Sequence, residues 1–315
     1  MFCVLDISIL ALDLPRFSTA GFYELPNTGR EVYSMNLAWR FTKGDVEGNP
    51  YSVEYDDSGW EVVSVPHGLE YLPLEASGCL NYQGIAWYRK HFTPDSRLQG
   101  KQLFLHFEAI MGKSEIYVNG KLIKKHYGGY LPIILDVTDL LKWNEENLIA
   151  VKADNSNDPS YPVGKSQNML DFTYFGGIYR DCWLVAHNDV FITNSNYEDE
   201  IAGGGLFVSY AEVSEKSAIV NLKAHIRNNS VSDKSVMVTF ELKKKSGELV
   251  KRVSEKLGVK KGTASYAITA MEVSTPSLWS PEHPNLYDLD VMVRDNKGKV
   301  LDGYRQRVGI RSIEF

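Results

Sequence analysis

Short runs of alternating apolar and polar residues dominate the chain from Gly29 onward, and Gly, Asn, Asp and Pro separate these runs. Alternation with a period of two buries one face of a strand and leaves the other in water, which is typical of antiparallel β-sandwiches. The clearest examples are residues 220–227, 236–243 and 289–293. Long amphipathic helix patterns are missing from the sequence. The pattern therefore predicts an all-β protein.

Several strands and one hairpin can be placed from local pattern. Residues 101–108 and 147–154 predict strands, and residues 300–310 predict the last strand. Residues 114–126 predict a hairpin around Asn119-Gly120. This dipeptide favours a type I′ turn because both of its central positions need a positive φ.

The character of the chain changes near Asn188-Asp189, where dense aromatics and long loops give way to cleaner strands. A chain of 315 residues with 43% hydrophobic content suits about two domains. We expect an N-terminal extension or damaged leader at residues 1–28 and a first sandwich at residues 29–188. An immunoglobulin-like sandwich of roughly a hundred residues is expected at residues 189–310.

Charge and cysteine content exclude several classes of partner. The net charge is -6, the pI is near 5.7 and the basic residues are scattered, so no nucleic-acid partner is expected. Cys3, Cys79 and Cys182 are too far apart for a disulfide framework or a zinc cluster. The histidines are dispersed as well, and the sequence predicts no transition-metal site.

The N-terminus is a poor signal peptide, because Asp6 and Asp13 interrupt its apolar run and no basic segment precedes that run. Small residues at positions 18–20 would suit a cleavage site, so a damaged leader of a secreted or periplasmic protein is one interpretation. No other segment approaches the ~18 apolar residues of a membrane span, and none is expected. The compartment and the oligomeric state, including a homo-oligomer, stay open.

Residues 171–183 combine a carboxylate, several aromatic rings and a Gly pair in thirteen positions, reading DFTYFGGIYRDCW. Carboxylates accept hydrogen bonds from sugar hydroxyls, aromatic faces cover the C–H patches of a pyranose, and Gly allows close backbone approach. The alternative is a buried strand after a tight turn. For the aromatic residues we favour that alternative and expect most of them in the core.

A series of motifs then occurs in one order along residues 29–315. They are Leu37-Ala38-Trp39-Arg40-Phe41, Asp57-Ser58-Gly59-Trp60, Val65-Pro66-His67, Ala86-Trp87-Tyr88-Arg89-Lys90, Val118-Asn119-Gly120, Gly128-Gly129-Tyr130, residues 171–183, Leu278-Trp279-Ser280-Pro281, Pro284-Asn285-Leu286-Tyr287 and Val308-Gly309-Ile310-Arg311. This order resembles the N-terminal part of glycoside hydrolase family 2, the β-galactosidase and β-glucuronidase family. The resemblance implies a jelly-roll sugar-binding domain, an immunoglobulin-like sandwich and then a TIM barrel. Residues 311–315 resemble the start of that barrel, which is otherwise missing from this chain.

The resemblance also implies where the catalytic groups lie. Retaining glycosidases use two carboxyl groups about 5 Å apart. In this family both are glutamates of the barrel, and no residue of this chain matches either. We therefore assign no catalytic residue here and expect the chain alone not to hydrolyse glycosides.

Two residues are candidates for substrate binding. In galactosidases of the family, an aspartate at the position of Asp171 reaches the active site, bonds sugar hydroxyls and helps to hold a monovalent cation. The resemblance thus implies substrate and cation roles for Asp171 once the barrel is present, and it implies no other cofactor. Asn81 is the candidate for a second polar contact. A turn aspartate and a loop-bracing asparagine are the alternatives, and His67 is interpreted as a structural loop residue.

The leading hypothesis is the non-catalytic front half of a β-galactosidase. A β-glucuronide or a β-mannoside is the alternative substrate. Two other classes stay open: a free-standing carbohydrate-binding module, and a structural docking platform that buries a partner domain.

Overall fold

The computed structural model describes residues 25, 27–70, 81–162, 164–201 and 203–313. Most of the predicted leader, Cys3, Cys79 and residues 314–315 lie outside this part of the chain. The helical segments of the described residues are α1 (Ser195–Glu198) and two 3₁₀ turns, Ser96–Leu98 and Gln167–Met169. None of the helices there is long and apolar enough to cross a bilayer.

Strands make up nearly all of the regular structure in the described residues, which confirms the all-β prediction. They are β1 (Glu31–Ser34), β2 (Trp39–Lys43), β3 (Glu61–Val63), β4 (Ile85–Phe92), β5 (Gln102–Phe107), β6 (Lys113–Val118), β7 (Lys121–Tyr127), β8 (Ile133–Asp136), β9 (Asn147–Asp154), β10 (Cys182–His187), β11 (Val190–Ile192), β12 (Leu206–Ala211), β13 (Ser217–Asn228), β14 (Lys234–Lys244), β15 (Leu249–Val259), β16 (Thr263–Ser274), β17 (Tyr287–Asp295) and β18 (Val300–Val308).

The chain divides into two compact units. Among the described residues, unit 1 holds residues 33–185 and unit 2 holds residues 25, 27–32 and 186–313. Each unit has its own buried apolar core.

Unit 1 is built from a six-stranded sheet, β3-β2-β4-β9-β6-β7, and a four-stranded sheet, β1-β10-β5-β8. The fully buried Trp39 of β2 lies against Phe107 of β5, with ring centroids 6.2 Å apart, so the two sheets share a core. Asn119 and Gly120 join β6 to β7 with φ values of 49° and 82°. The two positive values confirm the predicted hairpin turn.

Unit 2 is a second sandwich. One sheet has the order β15-β14-β17-β18, and in the other β13 pairs with β16 on one side and with β11 and β12 on the other. Alternate residues of β13 and β14 point into the core, as the sequence pattern predicts. His225 breaks this pattern, since it is buried among the outward positions of β13. It stacks on Tyr266 at 4.6 Å and shares a 3.0 Å hydrogen bond with Thr193.

A buried ion pair ties residues 27–32 to the rest of unit 2. Arg30 donates to both carboxylate oxygens of Asp302, from Nε at 3.0 Å and from Nη2 at 2.7 Å. The backbone N–H of Ile192 donates to the same carboxylate at 2.7 Å. Burial by itself raises the pKa of Asp302, but Arg30 and His187 outweigh it and hold that pKa well below its usual range. Asp302 is therefore ionised inside the core.

Candidate functional site

A buried arginine anchors the long surface loop that precedes β3. Arg89 of β4 donates from Nε to Asp57 at 2.6 Å, and its other nitrogens donate to the backbone carbonyls of Pro50, Ser52 and Tyr55. Burial raises the pKa of Asp57, but its bonds with Arg89 and His91 lower it more, so the net pKa lies below its usual value. The ion pair thus joins two of the sequence motifs that resemble the glycosidase family, residues 57–60 and residues 86–90, and its role is structural.

Residues 171–181 form an irregular loop that leads into β10, which holds the last two residues of the 171–183 segment. Met111 and Gly177 form an isolated antiparallel bridge, in which the Met111 N–H donates to the Gly177 carbonyl at 3.0 Å. A Cβ on Gly176 would overlap the side chain of Asn155, and one on Gly177 would overlap the Tyr88 hydroxyl. The Gly pair does permit close approach, as the sequence indicates, but the approaching groups belong to the protein.

The aromatic residues of this loop are divided between core and surface. Tyr174 is buried, whereas Phe172 and Phe175 are 46% and 44% exposed. The prediction that most of these aromatics belong to the core is therefore wrong for both phenylalanines. The reason is local, because the backbone is irregular here and no strand periodicity assigns the side chains to one face.

Asp171 is exposed on a bend just after the 3₁₀ turn Gln167–Met169. It lies at the surface of the same loop whose far end is held by Gly177 and Met111. An exposed loop carboxylate can accept two hydroxyl groups at once. The carboxylate of Asp171 therefore suits a role in substrate binding. Its position on a bend is equally compatible with the alternative, an aspartate that only stabilises a turn.

Asn81 braces both sides of the Asp171 segment. Its amide nitrogen donates to the carbonyl of Tyr174 at 2.6 Å, and its side-chain oxygen accepts from Gln167. Its backbone N–H donates to the Gln167 side chain at 2.9 Å. The structure thus brings the two predicted substrate residues onto neighbouring, hydrogen-bonded loops. In this arrangement Asn81 contacts the protein at both ends of its amide.

His67 also makes internal contacts. Its Nδ1 shares a 2.9 Å hydrogen bond with the Tyr88 hydroxyl, and its ring packs edge-on to Phe41 at 4.6 Å. Burial lowers the pKa of His67, so a neutral ring is favoured near pH 7. These contacts confirm its interpretation as a structural residue.

A small, shallow cleft lies beside the Asp171 segment, and sequence reasoning missed it. Its lining includes Asn155, Asp158, Tyr161, Lys165 and Tyr174. Most of these residues belong to the long loop after β9. The length of that loop is the sequence feature that could have drawn attention to it, since loops longer than about 12 residues without regular structure are commonly functional.

The described residues do not complete a cation site around Asp171. No group of three or more His, Cys, Asp or Glu side chains converges within the part of the chain that the structure covers. Asp171 supplies the oxygen donor that a hard cation prefers, but its further ligands would have to come from elsewhere.

Family comparison supports the two-sandwich architecture. A family model described as "Glycosyl hydrolases family 2, sugar binding domain" matches residues 51–188. A second model, "Glycosyl hydrolases family 2", matches residues 205–311. Together they cover most of the chain.

Individual relatives agree with these matches. The chain is 30% identical to a β-galactosidase of Thermoanaerobacter pseudethanolicus, over 91% of this chain and 36% of that protein. It is 27% identical to a β-glucuronidase of Formosa agariphila, over 92% of this chain and 30% of that protein. The chain therefore spans about a third of the length of these curated relatives.

A solved structure shows the same fold. β-Glucuronidase 2 of Bacteroides uniformis, bound covalently to cyclophellitol-6-carboxylate aziridine, superposes with a TM-score of 0.79 and 29% identity. The match covers 91% of this chain and 33% of that one. The two family matches and the relatives cover most of the chain, and the solved structure has the same fold. This chain therefore belongs to glycosyl hydrolases family 2.

Proposed function

We propose that this chain forms one wall of the substrate site of a retaining β-glycosidase, where Asp171 contacts hydroxyl groups of the terminal sugar. The observation that carries the proposal is the exposure of Asp171 on a loop that Asn81 braces at Gln167 and Tyr174. A carboxylate on a braced loop loses little conformational freedom when it binds, so its hydrogen bonds contribute more to affinity.

β-Galactosides are the proposed substrates. The support is the match of Asp171 to the galactosidase position and the name of the Thermoanaerobacter relative. β-Glucuronides are the second candidate, because the Formosa relative and the Bacteroides uniformis structure both carry the name β-glucuronidase.

In the family that this chain resembles, both catalytic glutamates belong to the barrel, and no residue of the chain matches either. We therefore propose that the 315 residues bind and orient substrate and do not hydrolyse it by themselves. Pure chain incubated with a nitrophenyl β-galactoside should release no nitrophenol above the buffer rate. Measurable turnover would contradict this part of the proposal.

The role of Asp171 is tested in the full-length protein that contains this chain. Asp171→Asn should raise KM and lower kcat/KM about ten- to a hundredfold, since hydrogen bonds to a charged group contribute ~1.5–3 kcal/mol. The matched control is Asp139→Asn, which changes an exposed turn aspartate of unit 1 and should leave both constants unchanged. Nitrophenyl β-galactoside and nitrophenyl β-glucuronide, assayed side by side, decide between the two substrates. Wild-type kinetics in Asp171→Asn would refute the substrate role.

A further inference from the structure

Strand β12 is an open edge of a sheet in unit 2. Among the described strands it pairs with β13 alone, whereas the other edge strand of that sheet, β16, lies beside β15 of the opposite sheet. The inward side chains of β12 are only partly buried, although those of β13 are buried. A strand added beside β12 would therefore cover an exposed margin of the core.

The hydrogen bonds at the start of β12 show which backbone groups face the open edge. The His225 N–H donates to the Gly205 carbonyl at 2.8 Å, and the two residues lie opposite each other in the extended β12–β13 register. Opposite residues of an antiparallel ladder alternate between hydrogen-bonded and non-hydrogen-bonded pairs. Every second residue after Gly205 therefore bonds β13, and the residues between turn their N–H and C=O groups to the open edge. The latter residues are Leu206, Val208 and Tyr210.

β12 lacks the charges that protect other edge strands of this chain. Its sequence is LFVSYA, without Lys, Arg, His, Asp or Glu. By contrast, the edge strand β7 of unit 1 carries three lysines, and the edge strand β15 of unit 2 carries two lysines, an arginine and a glutamate. Phe207 of β12 is 43% exposed. Edge lysines hinder pairing with another chain, and an uncharged edge with exposed apolar side chains favours it.

The open groups of β12 are symmetric about Val208. A two-fold axis at this residue would place Val208 opposite Val208 of a second copy and Leu206 opposite Tyr210, so that each open N–H meets an open C=O. On the outward face, the large Phe207 of each copy would lie opposite the small Ser209 of the other. No like charges would meet across the axis, because β12 has none.

We propose that β12 pairs antiparallel with β12 of a second copy of this chain, and that the resulting two-fold dimer has one sheet continuous across both copies. Main-chain hydrogen bonds supply the affinity in such strand addition, and the side chains that meet across the axis fix the register. Dimer formation through β12 needs neither Asp171 nor a bound sugar.

The geometry of β12 limits the strength of the dimer. Left-handed backbone at Gly205 and Glu212, with φ values of 68° and 50°, bounds the strand at six residues. Two strands of this length form a small interface, so the dimer should dissociate with a Kd of roughly 10–100 μM. The two-fold symmetry uses both open edges, so no assembly larger than a dimer should form by this route.

Sedimentation velocity of the 315-residue chain tests the dimer over a range from about 1 μM to about 300 μM, which brackets the expected Kd. The weight-average mass should rise from that of the 35.6 kDa monomer towards twice that value. A chain that stays monomeric over the whole range would overturn the proposal, and so would assemblies larger than a dimer.

A charge on the edge strand tests whether β12 is the interface. Phe207→Lys should weaken the dimer at least about tenfold, because it places a lysine of each copy beside the axis. Ile268→Lys is the matched control. Ile268 is 63% exposed on the same sheet face, on the side of Lys223 away from Phe207, and its replacement should leave the Kd unchanged. An unchanged Kd in Phe207→Lys, or equal weakening in both variants, would refute the assignment to β12.

Disulfide crosslinking tests the register. A mixture of Phe207→Cys chains and Ser209→Cys chains, treated with oxidised glutathione, should crosslink faster than either variant alone. The reason is that positions 207 and 209 of the two copies form a non-hydrogen-bonded pair with Cα atoms about 4.5 Å apart, which suits a disulfide. The wild-type chain measures the background from its native cysteines. Equal rates for the mixture and for the separate variants would overturn pairing about Val208.

Discussion

Replacement of Arg89 by Met tests whether the buried guanidinium holds unit 1 together. Arg89 is fully buried and bonds Asp57 together with three backbone carbonyls of residues 50–55. Met keeps the apolar length of the side chain but removes every donor. The change leaves the Asp57 carboxylate with its bond to His91 alone among these partners.

The expected loss of stability in Arg89→Met follows from the burial of the Arg89–Asp57 ion pair. Breaking a buried ion pair by removing one partner costs about 3–5 kcal/mol. The lower end applies here, because Val53 and Glu54 are exposed and water can reach the released carbonyls of this loop. For a unit of this size, a loss of ~3 kcal/mol lowers the midpoint of thermal unfolding by about 6–12 °C.

Tryptophan fluorescence measures this effect, because every tryptophan except Trp279 lies in residues 33–185. Arg40→Met is the matched control. Arg40 is directly opposite Arg89 in the β2–β4 pairing, but it is only half-buried and makes one 3.5 Å bond, to the carbonyl of Trp60. Its loss should cost less than ~1 kcal/mol. If urea unfolding shows equal losses of stability for the two variants, the structural role assigned to Arg89 is refuted.

Three further predictions concern stability. Asp302→Asn leaves Arg30 buried without its counter-charge and should cost about 3–5 kcal/mol near neutral pH. Because the folded pKa of Asp302 is depressed, its contribution is present above the unfolded value of about 3.9 and is lost as the pH falls through the folded value. Urea unfolding of variant and wild type should therefore converge in strong acid, and a constant gap would contradict this. Burial lowers the pKa of His106 to about 4, so between about pH 6.5 and pH 4 the unfolded state binds one more proton than the folded state. The free energy of unfolding should therefore fall by up to ~1.4 kcal/mol for each unit by which the pH is lowered through this range. His106→Leu should flatten this slope in the same assay, and an unchanged slope would assign it to other groups. Gly177→Ala combines a φ of +92° with atomic overlap and should lose more than ~2 kcal/mol; Gly100→Ala, with a φ of +83° and open space, should lose only about 1, and equal losses would show that crowding contributes nothing.

The regular strands could be predicted closely from sequence. The predicted strand at residues 147–154 coincides with β9, and that at residues 101–108 contains β5. Strand side chains alternate between faces, so the apolar pattern itself reports which face is buried. The Asn119-Gly120 turn was equally predictable, because few residues adopt two consecutive positive φ values.

The contents of the loops were less predictable. Phe172 and Phe175 are exposed although their residue type favours the core, while His225 is buried on the outward face of its strand. In each case the side chain follows an irregular backbone or a specific partner rather than a repeating pattern. Residue type alone gives no direction to a side chain in such a segment.

The sequence by itself determined the all-β class, the order of most strands and the family, because these depend on local periodicity and on motifs read along the chain. Tertiary structure decided which distant residues meet. Arg30 and Asp302 pair across 272 positions, and Asn81 holds the loop of Asp171 through Gln167, 86 positions away. The cleft at Tyr161 and Lys165 likewise depends on several segments converging. Such contacts are set by the packing of whole sheets and loops, and no local pattern encodes them.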